Sequence, residues 1–155
     1  MKKVKLLLGN CENVVNDLLQ ATVEEFCAGR AEVKCIRTAQ LEEFIRKGRD
    51  PTLDLVILIP NNLMTQTEGH ISLGGLGPGV RAIQAIKSES STPVIAIPVF
   101  EDRGQEENLL LKAGADRVLE LPFQREELLS AVGQLLKVTD SSPFMWSGEQ
   151  ILAEP

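Results

Sequence analysis

Few side chains in this chain are able to do chemistry. They are Cys11, Cys27, Cys35, the one histidine, His70, and the polar run Asn10-Cys11-Glu12. Three cysteines without a CxxC pair and a lone histidine do not make a Cys/His zinc set, so no metal site is expected from them. Reduced thiols of a cytoplasmic protein fit this usage. A histidine-based nucleophile–base system would have to use His70, which has no second histidine or placed acid and reads as an exposed loop residue. Cys27 and Cys35 read as core or near-core thiols. Cys11 falls where a first strand ends and a helix begins. Helix N-termini lower thiol pKa values and attract anions, which would make Cys11 a reactive thiol or part of a small-anion site. Glu12 beside it opposes a thiolate, so a small residue filling a pocket is the simpler reading. Gly74-Gly75-Leu76-Gly77-Pro78-Gly79 precedes a helical pattern, as phosphate-cradling loops do. It lacks the Lys-Ser/Thr that completes such a loop, and Pro78 removes an amide donor. No nucleotide or other cofactor is expected.

The elements that must position these residues follow from hydrophobic period. Lys3–Gly9 is an apolar strand. Glu12–Ala28 carries a helical stripe through Val14, Val15, Leu18, Leu19, Val23 and Phe26, with Gly29 after its end. Ala31–Arg37 alternates as a strand does. A helix capped by Thr38 buries Leu41, Phe44 and Ile45 and runs to Gly48. Leu53–Pro60 and Thr92–Pro98 are near-continuous apolar runs, the mark of strands buried on both faces. Between them Asn61–Gly79 holds five of the twelve glycines and reads as a long loop, functional or mobile. Helical pattern resumes at Val80. A helix over Gln105–Ala113, a strand over Arg117–Leu121 and a helix over Gln124–Lys137 complete the series. Five strands alternating with five helices predict a three-layer, doubly wound α/β fold of flavodoxin-like (βα)5 type, with parallel sheet order 2-1-3-4-5. A site is then expected at the carboxyl ends of the first and third strands.

At 155 residues the chain is one ordinary domain, with 43% hydrophobic and 25% charged residues. Its net charge of −6 lies wholly in residues 101–155, which hold eleven acidic and five basic side chains. That excludes a basic nucleic-acid footprint. No apolar run approaches the roughly 20 residues of a membrane span, and the run after Met1-Lys2-Lys3 stops too early for a signal peptide.

Asp54-Leu55-Val56-Ile57-Leu58, Thr92-Pro93-Val94-Ile95, Lys112-Ala113-Gly114-Ala115-Asp116, and Pro122-Phe123 with Glu127-Leu128-Leu129 together resemble the receiver domain of bacterial two-component response regulators. The resemblance covers about residues 3–137 and implies a receiver-like domain over 1–137, with a C-terminal tail over 138–155. It also implies a phosphorylation pocket. There an acidic pair after the first strand and an aspartate ending the third hold Mg²⁺, while a hydroxyl residue, a lysine and an aromatic residue complete the switch. At those positions this chain has Asn10 and Cys11 (with Glu12 as the neighbouring acid), Ile59, Pro98, Leu121 and Val118. Six departures together imply a pseudo-receiver, in which the fold is kept and phosphorylation is lost. It would not be an enzyme, and would act in bacterial, cytoplasmic signal transduction through protein–protein contact.

The expected partners are another signalling protein or a second copy of the chain, not nucleic acid or membrane. Expected contacts are Glu106, Glu107 and Glu120, on the acidic face around the last two helices, and the tail cluster Phe144, Met145 and Trp146, which should pack on the domain or on a partner. Ordinary solvated helix faces are the competing reading of the acids. The apolar residues of the 61–79 loop, Leu63, Met64, Ile71, Leu73 and Leu76, would suit a partner contact. The competing function is a small-molecule binder or enzyme, with a pocket between Asn10, Cys11, Asn61 and Asn62 under that loop. The sequence offers this alternative no nucleophile–base pair.

Overall fold

The computed structural model describes residues 2–67, 70–73 and 75–136. The expected contacts Phe144, Met145 and Trp146, and the tail that carries them, lie outside the described residues.

Lys2–Gly9 forms β1, Ala31–Thr38 β2 and Leu55–Leu58 β3. After a short hairpin of β4 (Met64–Thr67) and β5 (His70–Leu73), the sheet continues with β6 (Val94–Ala96) and β7 (Arg117–Val118). The helices are α1 (Asn13–Cys27), α2 (Leu41–Gly48), α3 (Leu76–Lys87), α4 (Arg103–Ala113) and α5 (Arg125–Leu135). The five sheet strands are parallel, in the order β2-β1-β3-β6-β7. Counted without the hairpin, this is the predicted 2-1-3-4-5.

The near-continuous apolar runs exist because each strand feeds two cores. Leu6, Leu8, Ile57 and Ile95 point to one side, where Leu19 and Val23 of α1 and Leu128 and Val132 of α5 cover them. Leu7, Val56, Leu58 and Val94 point to the other, against Phe44 of α2, Ile83 and Ile86 of α3 and Leu110 of α4. Every one of these side chains is fully buried or within 1% of it. Alternate residues on opposite faces, both apolar, are what a strand inside a three-layer sandwich requires.

Several expectations need correction. Asn61–Gly79 is not one long loop. It holds a 3-10 turn at Pro60–Asn62, the antiparallel β4–β5 hairpin, and the first turn of α3, which begins at Leu76 rather than Val80. His70 accordingly opens a strand. Leu63 is fully buried and Leu76 packs against the α2–α3 core, so these two serve the interior rather than a partner. The cap of α2 is Gln40, whose side chain accepts from the Glu43 N–H at 2.8 Å. Thr38 instead donates its hydroxyl to Glu43 Oε1 at 2.8 Å. The last strand keeps only two residues, Arg117 and Val118. Cys27 is buried and Cys35 half-buried, as expected, and burial raises the pKa of both thiols.

The start of β3 is fastened to β1 by polar contacts. The Lys5 ammonium reaches Asp50 Oδ2 at 2.9 Å and Thr52 Oγ1 at 2.6 Å, and the Lys5 N–H reaches Asp54 Oδ2 at 2.8 Å. The ammonium, then the two Thr52 donors, hold the Asp50 carboxyl well below the usual carboxylate range.

Candidate functional site

The pocket positions assemble because the sheet ladder outlasts its strands. Single hydrogen bonds continue it at the carboxyl edge: Asn10 N–H to Thr38 O at 3.2 Å, Ile59 N–H to Gly9 O at 2.9 Å and Ile97 N–H to Leu58 O at 2.9 Å. Leu119 N–H to Ala96 O at 2.9 Å and Leu121 N–H to Pro98 O at 3.0 Å complete the row. Asn10, Ile59, Pro98 and Leu121 therefore lie along one edge, across the point where the strand order reverses. Gly9 ends β1 without a side chain for a packing reason. A Cβ there would fall 2.5 Å from the Phe44 ring.

Ile59 is fully buried and belongs to the α1–α5 core with Leu8, Ile57, Ile97 and Leu119. Leu121 and Phe123 pack against the same cluster. Pro98 is buried, and Val118 is half-buried against the opposite core. The floor of this edge is hydrocarbon.

The polar groups form a network of amides around Glu12. Asn10, 3% exposed, accepts at Oδ1 from Asn62 Nδ2 at 2.9 Å and donates from Nδ2 to Glu12 O at 3.1 Å. Asn62 Nδ2 also reaches Glu12 Oε1 at 3.1 Å. Asn61, next to it on the 3-10 turn, points the other way, and its Oδ1 accepts from Val99 N–H at 2.8 Å just past β6. Asn16, in the first turn of α1, donates to Asn10 O at 3.2 Å while its buried Oδ1 has no partner among the described residues. Cys11 is exposed, and Glu12, not Cys11, takes the N-cap position of α1.

The donors at this edge do not fit a divalent cation. Mg²⁺ takes hard oxygen ligands in a near-octahedral set. Here the third-strand position is Ile59, which offers no oxygen, and Asn10 Oδ1 and Glu12 Oε1 already accept from Asn62. Among the described residues no group of three or more His, Cys, Asp or Glu is placed to hold a metal. The small-molecule pocket expected between Asn10, Cys11, Asn61 and Asn62 is not assembled as such: Asn10 and Asn62 bond each other, Asn61 turns to Val99, and Cys11 is exposed. An open groove of about 440 Å³ does exist, but at the opposite end of the sheet, lined by Leu53, Asp54, Ser91, Thr92, Pro93 and Leu135 among others.

The acidic face is less bare than its composition suggests. Arg103 sits among Glu120, at 2.7 Å, and Glu107, at 3.6 Å, with its guanidinium 5.6 Å from the Phe100 ring centre. Glu106 accepts from the Glu101 N–H at 2.9 Å. What periodicity missed is the apolar exposure around α4: Val99, Leu109 and Leu111 are each more than 40% exposed, with Leu109 and Leu111 on opposite flanks of the helix. On α1, Val14 is 82% exposed and Leu18 51%. Sequence reasoning also missed Asn16, because a buried amide on an apolar stripe leaves no period to detect. For the contacts of Asn61 and Asn62 the only sequence signal was two amides directly after Pro60. Among the described residues no helix is long and apolar enough to cross a membrane.

No family model and no curated protein matches the sequence. Solved structures do match the fold. The receiver domain of a sensor histidine kinase from Pseudomonas aeruginosa, with magnesium coordinated in its active site cleft, superposes with a TM-score of 0.63 at 18% identity, covering 86% of this chain and 97% of that one. A two-component response regulator from Clostridium difficile gives a TM-score of 0.64 at 21% identity, over 85% and 94%. A protein from Burkholderia thailandensis named for pilus assembly (CpaE) gives 0.63 at 16%, over 85% and 97%. The sequence resemblance and the solved structures thus meet in one conclusion: the chain has the receiver fold of the response regulators.

Proposed function

We propose that this chain is a non-phosphorylatable pseudo-receiver that acts in signal transduction through protein–protein contact, in a bacterial cytoplasm. One observation carries the reading: at the acceptor position Ile59 is fully buried among core hydrocarbons and has no oxygen to offer. Pro98 and Leu121 extend the loss, since neither a hydroxyl nor an ammonium is present to meet a phosphoryl group. Among the described residues no nucleophile–base pair stands at this edge in their place, which supports a binding module over an enzyme. The three cysteines form no disulfide, which fits a reducing compartment.

The binding surface proposed is the face of α4 and β7. It combines Glu106, Glu107 and Glu120 with exposed Val99 and with Leu111, one helical turn beyond Glu107, a charged rim beside apolar anchors. A signalling protein with a basic, partly apolar surface, or a second copy of the chain, would suit it. That one similar structure is named for pilus assembly rather than two-component signalling fits a receiver-like module used outside phosphotransfer.

Acetyl phosphate with Mg²⁺ tests the reading. The intact mass is expected to stay unchanged after incubation, and a stoichiometric gain of one phosphoryl group would overturn it.

A further inference from the structure

We infer that the Asn61–Asn62 turn is a built-in brace that takes the place of a bound cation at the carboxyl edge of the sheet. It would hold the exits of β1, β3 and β6 in one arrangement without any ligand. The geometry is that of a bridge. A cation at such an edge draws together oxygens from different strand exits. Here one amide nitrogen, Asn62 Nδ2, draws together Asn10 Oδ1 at 2.9 Å and Glu12 Oε1 at 3.1 Å. It does so as a neutral donor, so it needs only one carboxylate nearby where a divalent ion needs several. The adjacent Asn61 takes the Val99 N–H at 2.8 Å and so ties down the β6 exit, which leads into α4.

The brace is itself held from three sides. Ile59 N–H bonds Gly9 O ahead of the turn, Asn62 N–H bonds Ile59 O across it, and Leu63 is fully buried behind it. From outside, α3 presses on it at Gly79, where a Cβ would fall 2.3 Å from Pro60 Cβ. A turn held this way keeps two flexible amides in fixed positions at little further entropic cost. The consequence is functional. A domain whose switch edge is crosslinked by its own side chains presents one surface constitutively, whereas a cation- or phosphoryl-dependent edge presents two.

The test is thermal unfolding in Mg²⁺ against an ionic-strength-matched KCl control, on the wild type, Asn62→Ala and Asn62→Asp. The wild type is expected to show no Mg²⁺ shift. Asn62→Ala removes two hydrogen bonds, one to a buried acceptor and one to a carboxylate, and is expected to melt about 3–6 °C lower with or without Mg²⁺. Asn62→Asp replaces the bridging donor by a third oxygen ligand that repels Glu12. It should melt lower in KCl and recover about half of that loss in millimolar Mg²⁺. A wild type stabilised by Mg²⁺ overturns the inference, as does Asn62→Ala melting like wild type or Asn62→Asp indifferent to Mg²⁺. The inference rests on the pseudo-receiver reading of this pocket, yet the two fail separately. Phosphoryl transfer to the wild type would sink that reading whatever the Asn62 variants do, and Mg²⁺ indifference of Asn62→Asp would sink only the brace.

Discussion

Ile59→Asp is expected to destabilise the domain by about 3–8 kcal/mol and to leave it without acceptor activity. The substitution restores the residue type that the receiver pattern has at this position, so on sequence alone it looks like a repair. The packing says otherwise. Ile59 is fully buried in a cluster shared by α1, α5 and four sheet strands. Truncating a buried aliphatic side chain costs about 2–5 kcal/mol, through lost burial and the cavity left behind. A carboxyl placed in that cavity adds a desolvation cost of about 1–3 kcal/mol even when it stays protonated. Where the receiver pattern has a lysine to pair with it, this chain has Leu121. With domain stabilities of about 5–15 kcal/mol, this is a large share of the total. The urea midpoint reads it directly, with Ile59→Val as a control expected to cost about 0.5–1.5 kcal/mol. An Ile59→Asp protein as stable as wild type would mean that the edge is open and solvated, contrary to the packing described.

Gly79→Ala is the second large effect. In a helix interior alanine is normally favoured over glycine by about 1 kcal/mol. Here the added Cβ would lie 2.3 Å from Pro60 Cβ and 2.8 Å from Pro60 Cα. The second of these atoms is backbone and cannot rotate away. Either α3 must lift or the Pro60 turn must sink, and that turn carries Asn61 and Asn62. Overpacking of this kind costs about 1–3 kcal/mol, which cancels or exceeds the propensity gain. Gly48→Ala separates close approach from rigidity. Its Cβ would meet Ile86 Cδ1 at 2.3 Å and Cγ1 at 2.6 Å, side-chain atoms that can shift where the backbone Cα of Pro60 cannot. The Gly79 variant should therefore be the less stable of the two by chemical denaturation, and equal midpoints would argue against a rigid contact at Pro60.

The fold was legible because its strands are buried on both faces. Runs such as Leu55–Leu58 and Val94–Ala96 advertise a covered parallel sheet, and the order follows from right-handed crossovers. The placement of the candidate site was legible, since Asn10, Ile59, Pro98 and Leu121 do lie along one carboxyl edge of the sheet. The amide contacts at that edge were not legible. Asn62 bridges to residues 50 and 52 positions away, and no local pattern announces a contact that only the sheet order creates. The hairpin escaped for a different reason. Met64–Thr67 and His70–Leu73 are short strands in a polar, glycine-flanked stretch, and their pairing is anchored from outside, where Met64 N–H bonds Ala39 O at 2.7 Å. Capping at Gln40 rather than Thr38 is a shift of two residues between two competent acceptors, which tertiary contacts decide.

The central claim is that the carboxyl edge of this sheet is closed to phosphoryl chemistry. Beryllofluoride with Mg²⁺, a non-covalent mimic of the phosphoryl group, tests it most directly when added to the ¹⁵N-labelled protein. The amide spectrum is expected to superimpose on that of the protein with Mg²⁺ alone. Saturable shifts at Asn10, Glu12, Ile59, Asn62 and Val99 would show an edge that still receives the group, and would contradict the account.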